Sequence, residues 1–394
     1  MVERDAGFTV VEFMVAAAIT LMATALAVAL VAPASTAFQA WPEANDLQQR
    51  LRAAVESIRT ELATAGSGPS LGWGSGAPQT WPAVLPCRWT GPVLTAIPGG
   101  CATADAITVF SMAAAAPQAI TMAATPARAS ALSVAPASAC DLTRSACRLH
   151  AGSLALLIDG TSAWDVLTMA AVSSDGGTIT LQGTASGAYA SGAMIGEVTA
   201  RSFYLAPESG TGIPQLRRAD DAGSGNALVD HAVALSFQYF GAASPPRMAS
   251  SGSPDQSVAT YGPAPPAPGI DNPADTWPAG ENCVFAMQQG AQVPRLAALD
   301  AGSSGLAPLP LAIFSDGPWC PDSASANRFD ADLLRIRLVR VTVRLQAQSS
   351  SVRGASIVLF ANPGLSRDAR RMVPDAAVSF DVGLRNMARQ EPEA

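Results

Sequence analysis

Residues 7–12 read Gly-Phe-Thr-Val-Val-Glu, and residues 13–32 continue FMVAAAITLMATALAVALVA. No Asp, Glu, Lys or Arg occurs from Phe13 to Pro42. The strongly apolar part, Phe13 to Ala32, has 20 residues. At about 1.5 Å of rise per residue it makes roughly 30 Å of helix, the thickness of a hydrocarbon core. A secretory signal peptide fits poorly, because it carries a basic n-region and a small-residue cleavage site after the apolar run. Here the Gly comes before the run. Glu12 stands at the run's edge, at the fifth position of a chain that would begin at Phe8. A plain membrane anchor has no use for that carboxylate. An ionised side chain in lipid costs about 2.5–3.5 kcal/mol, so Glu12 is expected to have a partner.

Working outward, Pro33 and Pro42 follow the apolar run, and each removes a helix hydrogen bond and bends the axis. From Glu43 to Ala65 the pattern turns amphipathic. Leu47, Leu51, Val55, Ile58 and Leu62 step by three or four, which places them on one helical face. Arg50, Arg52, Glu56, Arg59 and Glu61 fill much of the remainder, and Gly66 with Gly68-Pro69 ends the helix. The spacing predicts an N-terminal helix over 8–66, with 8–32 crossing a membrane and 43–65 forming an amphipathic stem whose apolar stripe packs on a sheet.

The remainder, 67–394, reads as a β-rich body. Gly and Pro number 33 and 30, and charged residues are 14% of the chain, which favours strands and loops over a helical bundle. Strands are expected at Ala106–Phe110, Leu154–Ile158, Val166–Val172, Thr178–Gln182 and Arg201–Leu205. Gln215–Arg218 and Val233–Phe240 read as a pair joined through a Gly-rich turn. Val339, Val341, Val343 and Leu345 alternate with polar residues, the clearest strand signal present, and Val378–Asn386 is a last candidate. The stretch 242–278 is dense in Pro, Ser, Gly and Ala and reads as an insertion. The predicted fold class is α+β: a long N-terminal transmembrane and amphipathic helix packed on an antiparallel β-rich body.

The net charge is −7 and every one of the 24 basic residues is Arg. An acidic total argues against nucleic-acid binding. Six cysteines, Cys87, Cys101, Cys140, Cys147, Cys283 and Cys320, lack zinc spacing, and in an exported chain they read as disulfides. Of the fifteen possible pairings, the neighbours Cys87–Cys101, Cys140–Cys147 and Cys283–Cys320 close the shortest loops. His150 and His231 are the only histidines and no GxSxG occurs, so catalysis is not expected. Asp220-Asp221, Asp330 with Asp332, and Asp159 with Asp165 form small acidic groups. None has calcium-loop spacing, so they read as solvated turns, with no metal or cofactor expected. Trp73, Trp81 and Trp89 cluster around the first Cys loop, where packing beneath that loop is the plain expectation.

The order Gly7-Phe8-Thr9-Val10-Val11-Glu12 ahead of an uncharged helix resembles the N-terminus of the type IV pilin and pseudopilin superfamily. Several later features sharpen the resemblance toward minor pilins of the PilW type and the related J pseudopilin of type II secretion. These are the stem ending in Ala65-Gly66, the Asp105-led strand, Pro214-Gln215-Leu216-Arg217-Arg218, and Leu384-Arg385-Asn386. The resemblance implies cleavage by prepilin peptidase between Gly7 and Phe8, methylation of Phe8, and docking of Glu12 on the N-terminal amine of a neighbouring subunit. It implies a single-pass inner-membrane protein with a periplasmic body. Its partners would be membrane lipid, the assembly platform, other minor pilins and the major pilin, within a priming complex at a pilus tip. The leader departs from the usual basic pattern, holding Glu3 and Asp5 against a single Arg4. A secretion pseudopilin uses the same physics in another machine. A tip adhesin, with the Trp- and Cys-bearing region as a contact surface, is the rival of a different class.

Overall fold

A helix of 55 residues, α1 (Val10–Thr64), opens the computed structural model. The structure describes residues 9–68, 82–90, 102–113, 118–136, 149–158, 164–185, 187–221, 223–244, 278–281, 285–301, 305–317, 319–320, 329–349 and 375–388. Helical structure continues through Pro33 and Pro42 without a break. The span Val10–Val31, 22 residues, is long and apolar enough to cross a membrane, and its large side chains are exposed. The chain divides into two compact units, Met1–Arg50 with Leu345–Ala376, and Leu51–Arg344 with Ala377–Ala394.

In the first unit Leu47 is buried. Arg50 pairs with Asp46 at 2.6 Å and lies 3.7 Å from Glu43. The Glu43 carboxylate accepts from the backbone N–H groups of Gln348 and Ser349, and Arg50 donates to the Gln346 carbonyl at 3.4 Å.

In the second unit the helix buries Leu51, Ala54, Ile58, Leu62 and Ala65, while Val55 is only half-buried. The expected stripe is therefore corrected at one position: at 100° per residue Ala54 and Val55 flank the line of Leu51, Ile58 and Leu62 on opposite sides, and it is the Ala54 side that is buried. Gly66 stops the helix as expected. It adopts φ 67°, the left-handed conformation a C-terminal cap uses, and its N–H donates to the Phe110 carbonyl at 2.9 Å.

Among the described residues every strand pair with a stated register is antiparallel. One sheet runs β1 (Val84–Leu85), β2 (Ala106–Ser111), β8 (Met194–Pro207), β9 (Pro214–Asp220), β10 (Asn226–Asp230). A second runs β14 (Leu306–Leu309), β11 (Ala232–Ala242), β17 (Ile336–Leu345), β18 (Ala376–Gly383). The two meet where the Phe237 N–H donates to the Ala104 carbonyl at 2.7 Å. β2 is buried on both faces. On one face Thr108 and Ser202, opposed across β2 and β8, bond each other at 2.7 Å beneath the segment carrying Cys87 and Trp89. On the other, alternation places Val109 opposite Arg201, and Arg201 reaches the helix through Glu61.

Within 118–198 the chain builds a closed ring of six strands: β3 (Gln118–Thr121), β4 (Ala131–Pro136), β7 (Thr178–Gln182), β6 (Trp164–Val172), β5 (Leu154–Ile158) and the first half of β8. Ile195 of β8 closes it, opposed to Ala119 of β3 on one side and Leu157 of β5 on the other. Every second residue points inward: Leu132, Val134, Ala155, Leu157, Leu167, Met169, Ile179, Leu181 and Ile195 form one buried cluster. A bulge between Met169 and Ala171 takes up the register shift from β6 to β7.

All the strands expected from the sequence exist, with three corrections. Gln215–Arg218 lies in β9, which pairs with β8 and β10 and does not pair with β11. The intervening Asn226–Asp230 is a strand that its mixed composition hid. At the C-terminus the strand ends at Gly383, and Arg385–Ala388 forms a helical turn, α2. The Pro-rich stretch falls largely outside the described residues, and beyond it lie two short pairs, β12 (Phe285–Gln288) with β13 (Ala291–Pro294) and β15 (Trp319–Cys320) with β16 (Phe329–Asp330).

Candidate functional site

Thr9 and Glu12 are four residues inclusive, T-V-V-E, ahead of an apolar run. They form a capping box. The backbone N–H and the hydroxyl of Thr9 both donate to Glu12 Oε2 at 2.9 Å, and the Glu12 N–H donates to Thr9 Oγ1 at 3.3 Å. Two N–H groups that a helix start leaves without intrahelical acceptors are thereby satisfied reciprocally. The same carboxylate sits at the positive end of the helix dipole. Glu12 remains exposed, so one carboxylate does local capping while facing outward. The S/T-x-x-E spacing was open to view in the sequence; the role considered there was docking alone. Gly7 and Phe8 lie outside the described residues.

Further along the span Thr20 and Thr24 return their hydroxyls to the carbonyls of Ala16 and Thr20, each at 2.7 Å. These i−4 bonds leave the apolar segment with no hydroxyl seeking an outside partner.

The lower end of α1 is fixed by charge. Glu61, 8% exposed, accepts from Arg201 at 2.5 Å, and Arg201 Nε lies 3.4 Å from Asp220. Burial works against the Arg201 charge. Glu61, by hydrogen bond and by charge, and Asp220 outweigh it and hold the guanidinium more firmly protonated than an ordinary arginine. At the helix end Asn386 donates to the Ala65 carbonyl at 3.1 Å. Leu384 and Met387 are buried, so the C-terminal Leu384-Arg385-Asn386 group packs close to the stem's last turn.

A second charged group lies where β17 begins. Arg335 is 1% exposed, and donates to the carbonyls of Ala243 at 3.0 Å and Ala297 at 2.6 Å while its Nε lies 2.6 Å from Asp332. Leu299 N–H also donates to Ala243 at 2.9 Å. Asp330, fully buried, accepts from the N–H groups of Asp332 and Gly317. The expectation that Asp330 and Asp332 are solvated turn residues is thus corrected. Burial raises Asp330 to about 7, against the pull of those two N–H groups and helped by the nearby Asp332 and Asp316. Burial likewise raises Asp332, to about 6, with Arg335 opposing. A single Arg therefore holds two segments distant in sequence, at Ala243 and at Ala297. Nothing in the local composition signalled this, because its partners are backbone carbonyls distant in sequence.

Cys87 is disulfide-bonded. Cys101, Cys140, Cys147 and Cys283, with the Cys320 side chain, are outside the described residues, as are Trp73 and Trp81. Trp89 is buried and meets Phe110 edge-to-face at 5.9 Å, and the Cys87–Cys101 loop beyond residue 90 lies outside the described residues. His150 is exposed and pairs with Glu197 at 2.9 Å; His231 takes φ 55° at the β10–β11 junction. Asp165, instead of belonging to a solvated acidic turn, is buried and accepts from the Tyr189 hydroxyl at 2.7 Å. Among the described residues no group of three or more His, Cys, Asp or Glu is placed to hold a metal ion.

No family model matches this chain, and no curated protein matches it.

Proposed function

We propose that this chain is a minor type IV pilin-like subunit, anchored in the inner membrane by α1 and assembled into a filament through it. The observation that carries the reading is the exposed 22-residue apolar span of α1 with a lone carboxylate at its edge, in a chain that also builds an antiparallel β-body. A plain anchor requires the span but not Glu12. In the proposed mechanism prepilin peptidase cuts after Gly7, and Phe8 becomes the methylated amino terminus. The span holds the subunit in the bilayer until assembly, and Glu12 then meets the amine of a neighbour as the helices bundle. Its capping bonds to Thr9 occupy one carboxylate oxygen, so Oε1 is the atom offered to the partner. Pairing offsets the roughly 2.5–3.5 kcal/mol that an isolated charge costs at membrane depth.

The test is incorporation of Glu12→Ala into sheared filaments from a strain expressing the remaining subunits, with mass spectrometry of the N-terminus of the membrane-extracted protein. The reading expects a methylated Phe8 start in both proteins and loss of the variant from filaments. Full incorporation of the variant refutes the docking role, and an unprocessed leader refutes the pilin assignment.

A further inference from the structure

Trp41 is 71% exposed on α1, the last large apolar side chain before the charges resume at Glu43. Those charges are turned into the protein: Glu43 accepts from the backbone at 348–349, and Arg50 is held by Asp46 and Glu43. Two residues along a helix is about 200° of rotation, so Trp41 faces away from the side that carries Glu43. Glu12 and Trp41 are 29 positions apart (41 − 12). At about 1.5 Å per residue this is roughly 44 Å, and a bilayer measured through both headgroup layers is about 40–45 Å.

A register with the hydrocarbon over Val10–Val31 places Glu12 inside lipid and leaves Trp41 about 15 Å beyond its far edge. Sliding the helix a few residues relieves both ends at once. Glu12 moves into one headgroup layer, where its charge is hydrated, and Trp41 moves toward the other, where an indole buries its ring and keeps its N–H wet. We propose that Trp41 is a lipid-contacting interfacial anchor which, with Glu12, brackets the bilayer and sets the depth at which the subunit waits. The ligand is the glycerol and headgroup zone of a phospholipid bilayer. This inference rests on the membrane-span reading of α1.

The full chain and its Trp41→Phe variant, reconstituted in phosphatidylethanolamine/phosphatidylglycerol vesicles, give the Trp41 emission by difference. Vesicles containing lipid brominated near the glycerol are expected to quench that difference signal at least about twofold more than lipid brominated near the chain ends. The signal is expected to lie to the blue of indole in water and to resist aqueous acrylamide. A Trp41 signal quenched fully by acrylamide and unaffected by brominated lipid, in protein that floats with the vesicles, overturns the anchor and leaves the span reading standing. Protein that does not float with the vesicles overturns the span reading itself, and the anchor with it. Trp41→Phe sits on an exposed position, and unchanged circular dichroism establishes that the difference reports the indole.

Discussion

Asp330 shows how far the environment of a single residue departs from its sequence appearance. Its side chain is sealed between a 3-10 turn, Ala331–Arg335, and the Gly317 backbone, and Asp332 and Asp316 stand near it. The folded state keeps a proton on it up to pH about 7, whereas the unfolded chain releases it near 3.8. Asp332 adds the same tendency up to about 6. Between those limits the native state binds more protons than the unfolded one, so stability falls as pH rises from about 4 to about 7 and levels off above. Thermal unfolding of the detergent-solubilised chain is expected to show a lower Tm at pH 7.5 than at pH 5. Asp330→Asn, which cannot ionise, is expected to flatten that slope. A Tm that rises across the same interval and is insensitive to the substitution contradicts the burial argument. Glu12 presents the opposite case, since its chemistry is local. The capping box is written in four consecutive residues, and removing a capping side chain costs about 1 kcal/mol whatever the rest of the chain does.

Between elements, the attachment of α1 to the sheet combines an apolar face with the charged contact of Glu61 and Arg201. Glu61 is nearly buried and Arg201 stands in the second half of β8, the strand that belongs to both the open sheet and the closed ring. Removing either partner strands the other in a partly dehydrated site. Glu61→Gln or Arg201→Gln is expected to cost about 1.5–3 kcal/mol in chemical denaturation, and the double variant less than the sum. Strict additivity would show that the pair carries no coupling. Gly241 marks another close approach: a Cβ there would come within 2.1 Å of the Arg335 carbonyl oxygen, so β11 can lie this close to the end of the 3-10 turn Ala331–Arg335 because this residue has no side chain. Arg335 then spends its guanidinium on the carbonyls of Ala243 and Ala297. One residue thus joins this close backbone contact to the segments at Ala243 and Ala297.

At the scale of the whole molecule the closed six-strand ring within 118–198 is the feature that most changes the picture drawn from sequence. Its interior is one apolar cluster, and Ile195 sits at the seam. Ile195→Ala is expected to lower unfolding stability by about 2–5 kcal/mol, against less than about 0.5 kcal/mol for the exposed Met122→Ala. Equal effects at the two positions would show that the ring's interior is not a packed core. The ring was illegible beforehand because closure is a pairing property. Thr178–Gln182 displays its alternation in its own residues, and β5 displays its burial, but nothing in either says that β8 returns to meet both β3 and β5. What the sequence determined by itself is whatever depends on neighbours along the chain. That includes the apolar span with Glu12 at its edge, the stop at Gly66, the period-two strands, and the stripe of the stem to within one residue. Only the tertiary structure decided the partners: Arg201 for Glu61, β10 instead of β11 for β9, backbone carbonyls for Arg335, and dehydration for Asp330. The reason is physical. Periodicity and capping are written in residues a few positions apart, whereas strand pairing and burial depend on segments that only folding brings together.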